Sequence, residues 1–422
     1  MNDTTRNWAG NVTFGAARLH YPETLAQLHD LVTHHRKLKV IGARHSFTDI
    51  ADSPEDLVSL ERYDPAIAID AGRRTVTISG GIRYEQLCAD LHRAGFALHN
   101  TASLPHITIA GACATGTHGS GDNNGSLATA VAALEVVTGT GDVVVLSREH
   151  DGEQFHGAIV GLGGLGIVTS LTLDVQPTFD MRQDVYENMP LAQVIAHADT
   201  IFSQGYSVSL FTDWRDARIN QVWIKRRVTA AAALEMGPVW FEATRATRQL
   251  DPVGLAADEC TGQLGIHGPW HERLPHFRMA YMPEHGQELQ SEYMVPRQHA
   301  VAALQALDRL RHHVAPHLQM SEVRTIAADK LWMSMFYEQA SIALHFTWKP
   351  DWPAVSRILP MLEAELGPLG ARPHWGKLFT MPAGHVQSLY PKLAEFRQLL
   401  QTFDPQGKFR NRFLDAYVFG DR

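Results

Sequence analysis

Thr101-Ala-Ser-Leu-Pro-His-Ile-Thr-Ile-Ala-Gly-Ala-Cys-Ala-Thr-Gly-Thr-His-Gly-Ser-Gly121 runs without one Asp, Glu, Lys or Arg in a chain of which 19% is charged. Gly111, Gly116, Gly119 and Gly121 allow the backbone close approaches that a side chain would block. Ser103, Thr108, Thr115, Thr117 and Ser120 set hydroxyls beside free amide groups. Such a surface can neutralise a pyrophosphate lying flat along it without a lysine. Composition by itself fits a buried structural loop equally well, so the flanking segments must decide.

Upstream, Leu25, Leu28, Leu31 and Val32 recur at helical spacing within Leu25–His34. A short strand, Lys39-Val-Ile-Gly42, then opens a turn, Ala43-Arg-His45-Ser-Phe-Thr48, that again groups a glycine, a histidine and hydroxyls. This is a second candidate cradle. Arg74–Gly80 alternates as a strand and Tyr84–Ala94 reads as an amphipathic helix. Downstream, Ala133–Thr138 and Val143–Leu146 form strands around Gly139-Thr-Gly141-Asp142. Gly161-Leu-Gly-Gly-Leu-Gly166 matches G-x-G-x-x-G, but that fingerprint must follow a strand and open a helix. Here the β-branched strand Ile167–Val175 comes after it, so a Rossmann unit is rejected.

The texture changes near Pro177, where a domain boundary is expected. Ser207–Thr212, Gln221–Arg226 and Glu288–Val295 read as strands, and His299–His313 as a helix. Leu318–Ala327 carries Met320, Glu322 and Arg324 on one face. Ser341–Trp348 sets Ala343, His345 and Thr347 opposite Ile342, Leu344, Phe346 and Trp348. A helix over Ala354–Leu366, kinked at Pro360, is expected before Pro373-His-Trp-Gly-Lys377.

With 422 residues the chain calls for two domains. A net charge of −8 with no basic block excludes a nucleic-acid partner, and no apolar run is long enough for a membrane span. Cys88, Cys113 and Cys260 are widely spaced, which argues against a disulfide framework and a thiolate metal site. The polar start MNDTTRNWAGN has no apolar h-region, so the cytoplasm is the expected compartment. A monomer with a small uncharged partner is expected. His271-Glu-Arg-Leu-Pro-His276 resembles H-E-x-x-H, but it is one residue too long and Pro275 would break the helix; no metal site is expected.

Gly42-Ala-Arg-His45-Ser46, Ser103-Leu-Pro-His106-Ile-Thr-Ile-Ala-Gly111, Thr115-Gly-Thr-His118-Gly and Gly166-Ile-Val-Thr169 together resemble the vanillyl-alcohol-oxidase-type flavoproteins. Within them the chain is similar to the alditol oxidases of the xylitol oxidase kind. Gly268-Pro-Trp-His-Glu-Arg-Leu-Pro-His276, Glu322-Val-Arg324 and His374-Trp-Gly-Lys377 extend the likeness over most of the chain. The resemblance implies an α+β fold. Its PCMH-type FAD-binding domain would span residues 1–175 and be completed by about 385–422. A substrate-binding (cap) domain over 176–384 would carry a large antiparallel sheet flanked by helices.

By the same resemblance FAD is bonded covalently to His45, with Arg44 standing where many members have glycine. Ile41, Gly42, Ala43, Arg44, Ser46 and Phe47 would form one side of the cofactor site. Ser103, Thr108, Gly111, Thr115, Gly116, Thr117 and His118 would form the other, with the backbone of Ile167 and Val168. Ser103, Glu322, Arg324, Thr347 and Lys377 would surround a polyol, with His345 close by and O2 as acceptor.

The substrate residues also make sense as chemistry. A primary alcohol is about as weak an acid as water, with a pKa of about 15.7. Losing its proton while hydride leaves carbon needs positive charge at the oxygen. Arg324 and Lys377 can supply that charge, His345 is a candidate proton acceptor, and Glu322 and Thr347 can hold other hydroxyls. Two cations beside one alcohol would be costly to bury unless negative charge develops there. The strand alone would equally accommodate Glu322 and Arg324 as an ordinary same-face pair. Rival readings are a zinc hydrolase, a sugar-binding module without the two cradles, and a sugar-lactone oxidase or dehydrogenase.

Overall fold

The computed structural model describes residues 6–229, 236–252, 257–281 and 286–420. The N-terminal part runs β1 (Arg18–His20), α1 (Leu25–His34), β2 (Leu38–Ile41), β3 (Asp56–Ser59), β4 (Ile67–Asp70), β5 (Thr75–Ser79) and α2 (Tyr84–Arg93). After β6 (Phe96–Ala97) come α3 (Ile109–Ala114), β7 (Val131–Val137), β8 (Val143–Ser147), α4 (Gly152–Ile159) and β9 (Ile167–Asp174). Parallel pairing joins β1, β3 and β2 into a small sheet. The antiparallel order β4-β5-β9-β7-β8 makes a second. The sequence reading missed β1, β3 and β4, which are only three or four residues long. It also read the stretch around Gly111 as loop, whereas α3 occupies part of it.

β10 (Gln176–Pro177) pairs with β6. β11 (Asp180–Pro190), α5 (Leu191–Phe202), β12 (Ser207–Thr212) and β13 (Arg218–Arg227) follow, then the short β14 (Val239–Trp240), β15 (Ala243–Arg245) and β16 (Gly268–Pro269). Next come β17 (Leu289–Pro296), α6 (Ala300–Val314), β18 (Leu318–Ile326), β19 (Ser341–Trp348), α7 (Trp352–Leu366) and β20 (Arg372–Pro373). These strands form one 10-stranded antiparallel sheet ordered β14-β15-β11-β13-β12-β18-β19-β17-β20, with β16 beside β11. α5, α6 and α7 pack together along it.

Local chemistry sets the element ends. The Thr24 hydroxyl accepts the Gln27 amide at 3.3 Å to start α1, and Asp351 accepts the Ala354 amide at 3.1 Å to start α7. α7 runs on as one helix through Pro360. Burial of Leu359 and Leu362 on its inner face outweighs the roughly 3 kcal/mol that an interior proline costs. Strand alternation divides the large sheet. Ile342, Leu344, Phe346 and Trp348 are fully buried in the core, while His345 and Thr347 face a cavity.

That cavity lies where the large sheet meets the glycine-rich stretch. The Gly121 amide donates to the Thr325 carbonyl at 2.7 Å, tying the end of the stretch to β18. The C-terminal chain after α8 (Ala383–Ser388) and α9 (Leu393–Phe403) returns to the N-terminal layers. Gly139 N donates to Phe403 O, Leu38 N to Lys408 O, and the Asn411 amide to three carbonyls between Asp49 and Asp52. Gly161–Gly166 lies between α4 and β9, the reverse of the dinucleotide order.

Candidate active site

A cavity of about 440 Å³ is walled at one end by residues 39–51 and 102–118 and at the other by β17, β18, β19 and the segment 374–377. Its first end is built by close approach. A Cβ on Gly42 would sit 2.2 Å from Thr108 Oγ1, and one on Gly111 2.7 Å from the same atom. Arg44 adopts φ 60, the left-handed conformation that glycine takes freely, so the His45 loop keeps its turn without a glycine there. The N-terminal segment clamps this loop. Trp8 N donates to Arg44 O, while the side-chain amides of Asn7 and Asn11 donate to the carbonyls of Ser46 and Phe47. Phe47 N donates to Gly376 O at 2.7 Å, which fixes the loop against the segment carrying Lys377.

His45 is half-buried beneath Trp8, with ring centroids 4.3 Å apart, and its Nε2 meets His106 Nε2. Burial and His106 hold its imidazole well below the ordinary range, so it is neutral. Ile41, Gly42, Ala43, Arg44, Ser46 and Phe47 all line the cavity with it. Ser103, Thr108, Gly111, Thr115, Thr117 and His118 line the opposing side. Gly116, Ile167 and Val168 are not in its wall. Gly116 packs against Met335, Ile167 is fully buried where β9 pairs with β7, and the Val168 carbonyl backs onto Gly80. Lys39 and Gly163 stand in the wall instead. Lys39 Nζ donates to the carbonyls of Leu162, Gly163 and Phe409, binding the glycine turn to the C-terminal chain.

At the other end, strand register builds a row of ionisable groups. Glu292 on β17 pairs with His345 on β19, which pairs with Glu322 on β18. Arg324 Nη2 and Lys377 Nζ each donate to the fully buried Glu292 carboxylate at 2.6 Å. His118 Nε2 lies 3.2 Å from it, off hydrogen-bond geometry. Burial alone would raise the Glu292 carboxyl, but Lys377, His118 and Arg324 hold it well below the usual range. Lys377 Nζ also donates to His345 Nδ1 at 2.9 Å, and His345 Nε2 meets Thr347 Oγ1 at 3.0 Å. Both ring nitrogens are thereby engaged. The proton-acceptor role expected for His345 is open only when Lys377 leaves Nδ1.

Glu322 Oε1 accepts from His276 Nε2 at 2.7 Å, and its other oxygen is 3.5 Å from Arg324 Nε. Lys225 Nζ donates to His276 Nδ1 and to the carbonyls of Leu274 and Pro275. His276 therefore carries its proton on Nε2 and aims it at Glu322. His271 lies tilted against His92, ring centroids 5.1 Å apart. Sequence reasoning missed Glu292, Lys225 and the role of His276. The available signal was the alternation of Glu288, Gln290 and Glu292 on one face of a predicted strand.

Across its whole length the chain is 46% identical, over 425 residues, to an alditol oxidase from Streptomyces sp., covering 100% of both proteins. It belongs to the alditol oxidase family of FAD flavoproteins. A family model described as FAD binding domain matches residues 16–147, and one described as D-arabinono-1,4-lactone oxidase matches 280–417. An L-gulonolactone oxidase from Scyliorhinus torazame is 25% identical over 98% of each chain. The crystal structure of cholesterol oxidase from B. sterolicum superimposes with a TM-score of 0.79 at 15% identity, covering 98% of this chain and 96% of that one, which shows the shared fold. Among the described residues no helix is long and apolar enough to cross a membrane.

Proposed function

We propose that the chain is an FAD-dependent alditol oxidase that takes the terminal primary alcohol of polyols such as xylitol and sorbitol to the aldose, reducing O2 to H2O2. The observation that carries this reading is the full-length 46% identity to an alditol oxidase. The cavity fits the cofactor chemically. Its cradle end offers backbone amides and hydroxyls with Arg44 in the wall, and its acidic side chains, Glu288, Glu292 and Glu322, belong to other segments. Bound FAD supplies the hydride acceptor and the route of electrons to O2. The neutral imidazole of His45 is a nucleophile suited to a covalent tether. Residues 1–175 with about 385–422 form the FAD-binding part in this reading, and 176–384 the substrate-binding part.

Lys377 and Arg324 hold the reacting oxygen and stabilise the charge that develops as its proton is lost. Glu292 keeps both cations charged in a buried setting. Glu322, steadied by His276, accepts from hydroxyls further along the chain, with Ser103 and Thr347 completing the contacts. Glu322, Arg324, His345 and Thr347 are themselves buried, a setting of low dielectric that strengthens each of these interactions. Peroxide formation from xylitol in air, with flavin fluorescence remaining on the denatured chain, is the expected result. Turnover of aldonolactones in preference to xylitol and sorbitol would move the reading to a lactone oxidase, whose relatives are less similar. Flavin that washes free on denaturation would remove the tether.

A further inference from the structure

Away from the cavity, His20, His35 and Asp56 converge from three elements. His20 ends β1, His35 caps the C-terminus of α1, and Asp56 opens β3. Their donor atoms all lie within 4.8 Å of one another, and none of the three lines the cavity. We propose that His20 Nε2, His35 Nε2 and the Asp56 carboxylate bind a divalent transition-metal ion, Zn2+ in the first instance, with solvent completing a tetrahedron.

The distances suit that geometry. With metal–ligand bonds of about 2.0–2.1 Å, tetrahedral donors stand about 3.4 Å apart. His35 Nε2 is 3.8 Å from Asp56 Oδ2, close to that value, and His20 Nε2 reaches the same carboxylate at 2.9 Å from Oδ1. The two imidazoles meet edge to face, with centroids 5.0 Å apart at 65°.

The hydrogen bonding of His35 is a separate observation. Its Nδ1 lies 2.9 Å from the Leu31 carbonyl, which can only accept, so Nδ1 carries the proton. With Nδ1 committed to that carbonyl, Nε2 is the ring nitrogen left to face the Asp56 carboxylate. A carbonyl on the remote ring nitrogen is the usual outer partner of a metal-bound histidine, and it leaves Nε2 facing Asp56 as the ligand atom. Arg18 Nε lies 2.9 Å from Asp56 Oδ1 and its Nη2 3.5 Å from Oδ2. A carboxylate has about four lone-pair sites, so Arg18 can remain on Oδ1 as an outer partner while the ion takes Oδ2. Its positive charge lowers the affinity of the site without closing it, since its side chain is 66% exposed and can swing aside.

Such an ion would staple β1, the end of α1 and β3. β3 pairs with β2, which leads directly into the His45 loop. The ion acts as a structural clamp that stabilises the folded chain by mass action. Positions 20, 35 and 56 follow no ligand spacing, which is why the linear sequence points to no metal.

The test uses untagged holoprotein stripped with EDTA, titrated with Zn2+ by calorimetry and with Co2+ by visible absorption. A single saturable equivalent, a tetrahedral Co2+ spectrum and a Zn2+-dependent rise in Tm are expected. His20→Gln and His35→Gln should each weaken that equivalent at least about tenfold and abolish the rise in Tm, while their metal-free Tm and xylitol oxidation stay near wild type. No saturable equivalent in the wild type, or one that survives both substitutions, overturns the proposal and leaves a proton on His35 as what faces Asp56.

Discussion

Glu292 Oε2 stands 2.6 Å from the ammonium of Lys377, and the other oxygen of the same carboxylate takes Arg324 at the same distance. The two cations at the reacting end are therefore not a bare pair awaiting negative charge from the substrate. They are already compensated by a carboxylate fully buried in β17. This changes what each should do when altered.

Glu292→Gln leaves two buried cations with one acceptor fewer. Breaking such a group costs about 3–5 kcal/mol, which urea denaturation should register, and flavin reduction by xylitol should slow. Lys377→Met should slow anaerobic flavin reduction at saturating xylitol by about 100- to 1,000-fold and leave reoxidation by O2 nearly unchanged. The double variant should be less destabilised than the sum of the single ones, because the residues share one contact. Strict additivity would mean the contact carries no coupling energy.

Glu322→Gln should weaken polyol binding more than it alters oxidation of a short alcohol lacking distal hydroxyls. His276 lines the cavity and donates to Glu322, so His276→Gln should show the same asymmetry, in milder form because the Glu322 carboxylate itself remains. Stopped-flow reduction against substrate concentration separates the two constants. Equal losses for long and short substrates from Glu322→Gln would assign it to the chemical step or to the fold.

Burial pushes the Lys225 ammonium down to about 7, with Glu322 opposing the shift. Its unfolded value is about 10.4, so between these pH values the unfolded chain binds the extra proton and stability rises with pH. Lys39, pushed to about 7 by the same cause, adds a second such slope. Lys225→Met should therefore reduce, not abolish, the gain in urea midpoint between pH 7 and pH 9. An unchanged slope would show that Lys225 keeps its proton throughout.

Arg44 holds φ 60, a conformation that costs a non-glycine residue about 1–2 kcal/mol. Arg44→Gly should be better tolerated than Arg44→Ala, which must adopt the same torsion and also loses the side chain. Thermal unfolding and flavin retention of the two variants give the order. Alanine outperforming glycine would place the importance of Arg44 in its backbone stiffness.

Much of this protein is written locally. The uncharged run from Thr101, the glycine and hydroxyls around His45, and the strand that follows Gly166 are short-range patterns, and each fixes a backbone conformation or rejects one. Period-two alternation put Glu322 and Arg324, and likewise His345 and Thr347, on one face, because side chains of a strand must alternate. Only the tertiary structure aligned Glu292, His345 and Glu322, since register between strands lying 23 to 53 residues apart depends on which edges pair. It also drew His276 to Glu322, left Gly116, Ile167 and Val168 behind the cavity wall, and set His35 against Asp56. Those relationships depend on chain segments meeting through burial and strand pairing, and no spacing along the sequence encodes which distant charges will neutralise one another.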